Sequence, residues 1–421
     1  MTSRGHRVKF RSIKGTKDIL PDEVEAWQQV EAIIRRVMHI YNYREIRTPI
    51  FETTALFSRS IGELTDIVSK EMYTFSDRSN DSLTLRPEGT ASVLRAYLQN
   101  NLGEAAPQAK LYYVGPMFRQ ERPQAGRLRQ FHQFGAEAIG SPSPHLDVEM
   151  MLLAQDIFRS AGVKTFDLKV NSVGCPNCRP AYKKLLIAEL NKIREKLSSE
   201  NQSRIEKNPL RVLDSKNEGD AKLTAHVPLM KDHLCQECAD HFATVQSALH
   251  SLSIAYEIDG RLVRGLDYYT KTAFEITSTS LGSQDALAGG GRYDLLTEEL
   301  GGKQTPAVGF AAGLERLMMA VQKGEIIQPS VPKLFLIGLD EPARSWTFLK
   351  ACELRQQGIS VETDYLGRSI KAQLREANRQ MAEYVIVVGE QELMSKSVNL
   401  KEMKTGSEKH IRIEEIPSAL R

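Results

Sequence analysis

The sequence predicts an α+β protein with a large antiparallel-sheet domain, a helical insertion within it, and a small C-terminal α/β domain whose sheet is mixed and mainly parallel. Strand-like runs flank polar, glycine-bearing loops in two regions of the first three-quarters of the chain. A highly charged, helix-favouring stretch separates those two regions. After a linker with two prolines, short apolar strands alternate with helical segments, as they do in parallel-sheet domains.

These changes of pattern predict the domain boundaries. We assign the antiparallel domain to residues 1–172 and 253–326, the insertion to 173–252 and the C-terminal domain to 331–421, with a linker around 322–333. A chain of 421 residues exceeds what one core usually covers. The net charge of +3 is too small to identify a partner, so any nucleic-acid surface would have to be a local patch.

The first elements are an amphipathic helix and a strand marked by proline. Residues 23–41 place Trp27, Ile34 and other apolar side chains at steps of three and four, which is typical of an amphipathic helix. Residues 46–52 form a short strand-like run that contains Pro49. Proline within such a run favours an edge or an interface over a central strand.

The first 15 residues are basic and lack the apolar run of a secretion signal. They predict a disordered arm, with phosphate contact as the alternative. No stretch of about 18 apolar residues occurs, so no membrane span is expected. Five cysteines in a chain of this length favour a reducing compartment, and we expect the cytoplasm.

Residues 110–140 predict a hairpin with a basic loop. Between Arg119 and Arg129 the loop carries four arginines, at 119, 122, 127 and 129, against one acid, Glu121, a net of four minus one, or +3. Because side chains alternate along a strand, one face of the return strand carries Arg129, Phe131, Gln133, Gly135 and Glu137. A ring, an amide and a carboxylate in one row favour a ligand pocket, and an ordinary basic surface hairpin is the alternative.

Two shorter motifs are weaker when taken alone. In residues 84–92 a turn presents Glu88 and Thr90, although Thr90 could simply cap a helix. The glycine run at 288–294 allows close approach by a ligand and lacks the pattern of a phosphate loop. It is followed by Arg316 at the start of a helix, where anions are favoured. The alternative is a glycine-lined packing crossing with a surface arginine.

Residues 261–270, RLVRGLDYYT, place Arg264 among apolar residues before two tyrosines. Burying a guanidinium costs several kcal/mol unless it is paired. In an extended conformation Arg264 and Tyr268 share one face, and Tyr269 falls on the other unless the strand ends or bulges there. We therefore expect ligand groups to be the counter-ions of Arg264.

Four of the five cysteines form two CxxC pairs that flank the insertion. The pairs are Cys175 with Cys178 and Cys235 with Cys238. Such pairs are the usual pattern of a structural tetrathiolate zinc site, and disulfides and free thiols are the alternatives. Cys352 is expected to be a buried helix residue.

Together these motifs resemble a known family. The strand-loop-strand FRQE…RQFHQFG and the GLER helix are similar to motifs two and three of the class II aminoacyl-tRNA synthetases, and the Pro49 region to motif one. LTLRPEGT, RLVRGLDYY and AGGGRYD resemble the histidyl-tRNA synthetase family specifically, with RGLDYY the most specific of them. The resemblance covers nearly the whole chain.

The resemblance implies an ATP-dependent histidine–tRNA ligase. Such an enzyme activates histidine with ATP to histidyl-adenylate and transfers it to the 3′ end of tRNA(His). It implies Mg²⁺ as the cofactor of ATP, a homodimer, and an anticodon-binding role for the C-terminal domain. That domain carries 14 basic and 13 acidic residues over 332–421, so its charge does not identify RNA. Arg368, Lys371 and Arg375 form either a phosphate-facing patch or a solvated helix face.

The resemblance also implies roles for individual residues. Catalytic roles fall to Arg264 and Arg119. ATP would be bound by Arg119, Glu121, Arg127, Phe131 and Arg316. Histidine would be bound by Glu88, Gly89, Thr90, Arg119, Gln133, Glu137, Arg264, Tyr268, Tyr269 and Tyr293. The tRNA acceptor end would be read by Arg122 and Gln124.

Two other functions were weighed. One is a non-catalytic relative such as the regulatory subunit of ATP phosphoribosyltransferase, and the other is a module that senses uncharged tRNA. Retention of Glu88, Arg119, Arg264 and Arg316, together with the extra C-terminal domain, favours the enzyme over the regulatory subunit. Sensor modules are normally fused to a kinase, and no kinase signature occurs in this sequence.

Overall fold

A computed structural model describes residues 10–62, 65, 67–124, 126–215, 217–266, 268–282, 285–321 and 331–420. The chain divides into two units, residues 1–327 and 328–421, so the boundary lies within the expected linker. Most of that linker, 322–330, and residues 1–9 of the expected arm lie outside the described residues. None of the described helices is long and apolar enough to cross a bilayer.

The first unit contains two sheets. The strands are β1 Arg44–Glu45, β2 Phe51–Thr53, β3 Thr74–Ser76, β4 Ser82–Leu85, β5 Ala109–Phe118, β6 Gln130–Ile139, β7 Asp167–Ser172, β8 Glu257–Ile258, β9 Thr270–Thr277, β10 Ala286–Arg292 and β11 Ala307–Gly313. The large sheet has the order β1-β5-β6-β11-β10-β9-β7-β8, and the small one the order β2-β4-β3. Only the two outermost pairings of the large sheet, β1–β5 and β7–β8, are parallel. The predicted antiparallel-rich sheet of the first domain is therefore confirmed.

Twelve described helices accompany these sheets. They are α1 Pro21–Ile40, α2 Thr54–Ile61, α3 Thr90–Gln99, α4 Leu102–Ala105, α5 Pro144–Ser160, α6 Arg179–Lys192, α7 Ser199–Lys207, α8 Leu210–Leu213, α9 Glu218–Leu223, α10 Gln236–Ser251, α11 Leu296–Glu299 and α12 Leu314–Ala320. The predicted amphipathic helix corresponds to α1, whose Val30, Ile34 and Val37 are buried. They join the core that covers one face of the large sheet, where Phe134 and Phe310 also lie.

The expected insertion consists mainly of the five helices α6–α10, as its charged sequence predicts. These helices share a small core built around Tyr182, Leu186 and the cysteine pairs. The division of the chain into two units leaves the insertion within the first one. A separate insertion domain at 173–252 therefore stays a prediction.

The second unit contains a five-stranded sheet flanked by helices. Its elements are β12 Leu334–Gly338, α13 Glu341–Gln356, β13 Val361–Thr363, α14 Ile370–Arg379, β14 Tyr384–Val388, α15 Glu390–Ser395, β15 Ser397–Glu402, β16 Glu408–Arg412 and α16 Ile416–Ala419. The strand order is β13-β12-β14-β15-β16. A mixed sheet is confirmed, but only the first two of its four pairings are parallel. The hairpin β15–β16, which the sequence reading did not anticipate, supplies the antiparallel half.

Candidate active site

The free face of the large sheet pairs polar side chains with glycines. Across neighbouring strands, Gln133 on β6 lies opposite Gly313, Glu137 on β6 opposite Gly309, and Glu275 on β9 opposite Gly289. Glycine leaves room for the functional group on the adjoining strand. A Cβ on Gly309 would lie 1.8 Å from Oε2 of Glu137. The glycines therefore leave space for the polar side chains on this face of the sheet.

A cavity of about 200 Å³ lies over this face of the sheet. Twelve of the predicted site residues line it, and they come from the hairpin β5–β6, the turn before α3, the segment between β8 and β9, the end of β10 and the start of α12. They are Glu88, Thr90, Arg119, Glu121, Arg127, Phe131, Gln133, Arg264, Tyr268, Tyr269, Tyr293 and Arg316. Glu88 and Arg316, 228 positions apart in the chain, thus meet in one cavity. Four predicted residues, Gly89, Glu137, Arg122 and Gln124, are not among those that line it.

Glu137 lies just behind the cavity wall and is fully buried. Its Oε1 accepts a hydrogen bond of 2.7 Å from the Thr90 hydroxyl, and its Oε2 accepts one from the Tyr293 phenol. Burial raises the pKa of Glu137 to about 8, against the lowering effect of these two donors, with the nearby Glu88 raising it further. A buried carboxyl group whose pKa lies this close to neutral pH can exchange a proton with a ligand.

Glu88 closes the same end of the cavity. Its carboxylate accepts the backbone N–H groups of Thr90 at 2.7 Å and Ala91 at 2.8 Å, so it caps the first turn of α3. Burial raises the pKa of Glu88 against the effect of these donors. Gly89 contributes through close packing, because a Cβ there would lie 2.3 Å from the ring of Tyr113.

The segment before β9 is a loop, which answers how both tyrosines reach the cavity. Residues 261–266 and 268–269 contain no helix or strand and connect β8 to β9 with isolated turns and bends. No strand forms over these described residues, so the exception foreseen from the sequence holds and strand alternation does not apply to Tyr269. The rings of Tyr268 and Tyr269 lie 4.7 Å apart, and those of Tyr268 and Tyr293 5.6 Å apart. Burial raises the pKa of all three phenols, which stay protonated at neutral pH.

Arg264 has a counter-ion in the protein. Its Nη1 lies 2.6 Å from Oε2 of Glu275 on β9. The expectation named only ligand groups as counter-ions of Arg264, and the structure adds Glu275. Burial lowers the pKa of Arg264, but the Glu275 carboxylate outweighs burial, so its net pKa is raised. The sequence signal was present, since a lone acid stands between apolar residues in AFEIT.

Cationic side chains occupy the other end of the cavity. Arg119 donates from Nε to the Pro87 carbonyl at 2.9 Å, and its guanidinium lies over the Phe131 ring, 5.3 Å from the centroid. Glu121 lies 3.8 Å from Arg119 and 3.2 Å from Arg127. This single carboxylate holds two guanidinium groups in place and leaves a net positive charge.

Arg316 completes the cationic end. Its guanidinium donates to the carbonyls of Ala286 at 2.8 Å and Gly126 at 3.3 Å. Burial lowers the pKa of Arg316, and the neighbouring Arg127 lowers it further. An anion placed between these arginines would relieve that repulsion.

The remaining predicted residues differ in exposure. Oε1 of Gln133 is buried without a hydrogen-bond partner among the described residues, which leaves an acceptor directed at the cavity. Arg122 and Gln124 lie in the exposed hairpin loop. Both side chains are therefore open to solvent and outside the cavity lining.

Glu315 is a pocket residue that sequence reasoning missed. Its carboxylate accepts the backbone N–H of His132 at 2.9 Å and lies 3.0 Å from the ring nitrogen Nδ1 of the same residue. It therefore fixes β6 against the start of α12. The GLER sequence contained this acid beside Arg316, and only the arginine was singled out.

The four CxxC cysteines meet in one cluster. Their sulfur atoms all lie within 4.8 Å of one another. The nearest separations are 3.7 Å for Cys175–Cys235, 3.8 Å for Cys175–Cys178 and 3.9 Å for Cys178–Cys238. These distances exclude disulfides, whose S–S length is about 2 Å. Tetrahedral thiolates about 2.3 Å from a zinc ion would be about 3.8 Å apart, so the donor set fits zinc.

Two protein families match the chain, one in each unit. The model of the family described as Histidyl-tRNA synthetase matches residues 15–317. A second model, described as Anticodon binding domain, matches residues 351–421. The two matches fall in the first and second units respectively.

Curated relatives match over nearly their whole length. A histidine–tRNA ligase of Desulfitobacterium hafniense is 48% identical over 404 residues, which is 96% of this chain and 95% of the relative. A histidine–tRNA ligase of Chloroherpeton thalassium is 50% identical over 406 residues, covering 95% of each.

Solved structures show the same architecture. Apo histidyl-tRNA synthetase of S. aureus superposes with a TM-score of 0.83 at 37% identity, covering 98% of this chain and 99% of the other. A Bacillus halodurans protein described as an ATP phosphoribosyltransferase regulatory subunit/histidyl-tRNA synthetase has a TM-score of 0.67 at 20% identity, over 91% of this chain and 99% of the other. The second likeness concerns the fold alone.

Proposed function

Because the chain belongs to the histidyl-tRNA synthetase family, a family of class II aminoacyl-tRNA synthetases that ligate histidine to tRNA, we propose that the cavity is its active site and that the enzyme works there in two steps. First, histidine and ATP form histidyl-adenylate with release of pyrophosphate. Second, the 3′-terminal ribose of tRNA(His) displaces AMP from the adenylate and becomes esterified with histidine.

One observation carries the proposal: a single cavity has a carboxyl-and-phenol end and a guanidinium end, and Arg264 lines it too. Glu88 and the unpaired amide oxygen of Gln133 are acceptors suited to an α-ammonium group. Arg119 and Arg316 suit the phosphates of ATP. A substrate pair with an amino acid at one end and a triphosphate at the other matches this division of charge.

The first step needs positioning and charge stabilisation more than proton transfer. The histidine carboxylate attacks the α-phosphorus, a new P–O bond forms, and the bond to the β-phosphate oxygen breaks. Negative charge on the phosphate oxygens is stabilised by fixed cations in a site that excludes water. We assign the α-phosphate to Arg119 and Arg264 and the γ-phosphate to Arg316. Phe131 would stack on adenine, and Arg127, held by Glu121, would complete the nucleotide site.

Recognition of the imidazole ring is assigned to Tyr268 and Glu137, with Tyr269 and Tyr293 as the walls. A neutral imidazole offers one donor and one acceptor, which suits the Glu137 carboxyl group on one side and a phenol on the other. Glu137 is bonded to Thr90 and Tyr293 in the free protein. Histidine would therefore take over one of these hydroxyl contacts as it binds.

Magnesium would accompany ATP. The carboxylates that line the nucleotide end are Glu121 and Glu315, and both are engaged with protein groups. Mg²⁺ keeps several waters and is commonly held by substrate phosphates with one or two carboxylates. The residues therefore fit an ion held mainly by ATP, which would neutralise the departing pyrophosphate.

For tRNA, we assign Arg122 and Gln124 to the acceptor end and the second unit to the anticodon. The match of residues 351–421 to an anticodon-binding family supports the latter. Of the basic residues considered there, Arg368 is paired with Asp364 at 2.5 Å and Glu376 at 3.2 Å. Lys371 and Arg375 are exposed on α14 and are the better candidates for phosphate contact.

We also propose that the cysteine cluster binds a structural zinc ion. Four sulfur ligands close a zinc site and leave no position for substrate. The expected content is one zinc per chain by atomic emission, lost when Cys235 and Cys238 are replaced by serine. Absence of zinc in protein purified with zinc supplied would contradict the assignment. We propose that the protein is cytoplasmic, a compartment in which the thiols of this cysteine cluster would stay reduced.

Dimerisation is proposed from the small sheet. Phe51 pairs with Leu85 and Phe75 with Leu83 across β4, so all four side chains share one face. Phe51 and Phe75 are 49% and 45% exposed, and Ile50 beside them is 44% exposed. An exposed apolar face of this kind favours contact with a second copy of the chain.

The test is ATP–pyrophosphate exchange with each standard amino acid in turn. Exchange with histidine alone is expected. If folded, metal-replete protein showed no exchange with any amino acid, the regulatory-subunit alternative would replace the enzyme. Exchange with another amino acid would overturn the assignment of the carboxyl-and-phenol end to imidazole. Charging of tRNA(His) transcripts then tests the second step.

A further inference from the structure

The loop that carries Tyr268 and Tyr269 is held from the insertion side. Arg179 follows directly after Cys178 and begins α6. Its Nε donates to the Val173 carbonyl at 2.8 Å, and its Nη2 donates to the backbone carbonyl of Tyr269. One guanidinium thus joins the exit of β7, the first cysteine pair and the backbone of a pocket tyrosine.

A second connection starts from the other cysteine pair. Glu237 lies between Cys235 and Cys238, and its carboxylate is 2.8 Å from Nζ of Lys271. Lys271 follows the tyrosines by two residues and has a φ of 49°. Its ammonium group also lies 3.7 Å from Asp294, next to the pocket residue Tyr293.

Backbone hydrogen bonds add to these two side-chain links. The N–H of Lys271 donates to the Gly174 carbonyl, and the N–H of Val173 donates to the Lys271 carbonyl, both at 2.8 Å. Two backbone bonds and two side-chain links therefore fix residues 269–271 to the segments that carry the cysteines. A positive φ at a lysine persists only where the surroundings hold it.

We propose that Arg179 and Lys271 are positioning residues for histidine recognition: they hold the Tyr268–Tyr269 segment against the cysteine-bearing segments, so the insertion supports the amino-acid end of the pocket. They touch the tyrosine backbone and its neighbours and do not line the cavity. The proposal rests on the assignment of that end to histidine. Its effect is expected on histidine and not on ATP.

The first test is the variant Arg179→Met in histidine-dependent ATP–pyrophosphate exchange. Loss of a hydrogen bond from a charged group to a carbonyl should shift the equilibrium between the held and released loop by about tenfold or more, and histidine binds only the held loop. We expect KM for histidine to rise about tenfold while KM for ATP and kcat stay within about twofold. The calorimetric Kd for histidine should rise by the same factor. Arg179→Lys should recover part of the loss, because an ammonium keeps the charge but lacks the planar fork.

The control is Lys184→Met, which removes a positive charge from the exposed side of the same helix. It should leave both KM values unchanged. Lys271→Met tests the second link without altering α6 and decides the matter if the Arg179 variant melts below the assay temperature. Wild-type KM for histidine in folded Arg179→Met and Lys271→Met would overturn the proposal. Absence of histidine-dependent exchange in the wild type would instead overturn the proposed function, so the two failures are distinguishable.

Discussion

At the scale of single residues, two glycines decide where the charged groups of the pocket stand. Gly309 leaves space for Glu137, and Gly289 leaves space for Arg264. A Cβ on Gly289 would lie 1.8 Å from Nη2 and 2.2 Å from Cζ of Arg264. Even the smallest side chain therefore requires the guanidinium to move away from the reacting centre.

We accordingly expect Gly289→Ala to behave like Arg264→Ala. Both should lower kcat for ATP–pyrophosphate exchange by at least about tenfold, with a smaller change in KM for histidine, because the lost contact is to charge that develops in the transition state. Gly219→Ala, in α9 and outside the pocket lining, is the matched control. If kcat of Gly289→Ala equalled that of the wild type, the position of Arg264 beside Gly289 would not be needed for the exchange reaction.

The protonation of Glu137 makes a second prediction at this scale. Its folded-state pKa of about 8 exceeds the ordinary value of 4.5, so the native protein binds the extra proton. The corresponding contribution to stability is fully present below the unfolded pKa and is lost as the pH rises through about 8. Glu137→Gln should therefore flatten the fall in unfolding free energy between about pH 5 and pH 8.5.

Urea unfolding of ligand-free protein at several pH values measures this difference. The exposed Glu298→Gln serves as the control, since it removes a carboxylate without changing a buried site. Parallel stability curves for wild type and Glu137→Gln would mean that Glu137 is ionised throughout this range.

At the scale of elements, a buried ion cluster joins α5, β10 and α10. Asp147 is fully buried, and its Oδ1 lies 2.6 Å from Nη2 of the equally buried Arg292. Its Oδ2 lies 2.7 Å from Nε2 of His241. Arg292 also donates to the carbonyls of Ser141 and Ser143. Arg292 immediately precedes Tyr293, so this cluster anchors one wall of the pocket.

Removing one partner of such a cluster leaves an uncompensated buried charge. We expect Asp147→Asn to lower the free energy of unfolding by roughly 3–5 kcal/mol. Burial alone would raise the pKa of Asp147, but His241 and Arg292 lower it, so the net pKa is lowered. Its contribution is therefore present above the unfolded pKa, near 3.8, and is lost as the pH falls.

The measurement is urea unfolding at pH 7 and again near pH 3. Asp167→Asn, at the exposed start of β7, is the control. Equal loss of stability in both variants at pH 7 would contradict a special role for the cluster.

Element prediction succeeded where one periodicity ran without interruption. The hairpin β5–β6 follows the alternation that placed Gln133 and Glu137 on one face, and α1 follows its apolar steps. It left the geometry of Tyr269 open, because the backbone there is held by a bond from Arg179, 90 positions away, that a local pattern cannot contain. Likewise, nothing in the polar strands β15 and β16 matched the apolar signal by which the other strands of the second unit were found.

At the scale of the whole molecule, the exposed apolar face of the small sheet leads to a prediction about dimerisation. If the face with Phe51 and Phe75 joins two copies, Phe51→Glu should convert the dimer to a monomer, because a charge cannot be buried there without a partner. Sedimentation velocity at micromolar concentration measures the change. Phe348→Glu, 46% exposed on α13 of the second unit, is the control. A dimer that survives Phe51→Glu would place the contact elsewhere.

The division of the molecule was predictable from composition, whereas the assembly of the site was not. The prolines of the linker and the change of period beyond it located the second unit. The meeting of Glu88, Arg264 and Arg316 in one cavity depends on strand order, which local residue patterns alone do not determine. The resemblance to a family supplied that information before the structure did.

The spacing of the cysteines has one more consequence, for folding. Cys178 and Cys235 are 57 residues apart in the chain, yet their pairs meet in one cluster. Closing a loop of that length costs entropy, which the ordered helices between the pairs offset in the metal-free protein. A preformed set of four thiolates thus exists only when those helices are folded, and metal affinity then includes their folding free energy. Zinc affinity would therefore report the folding stability of helices α6–α10.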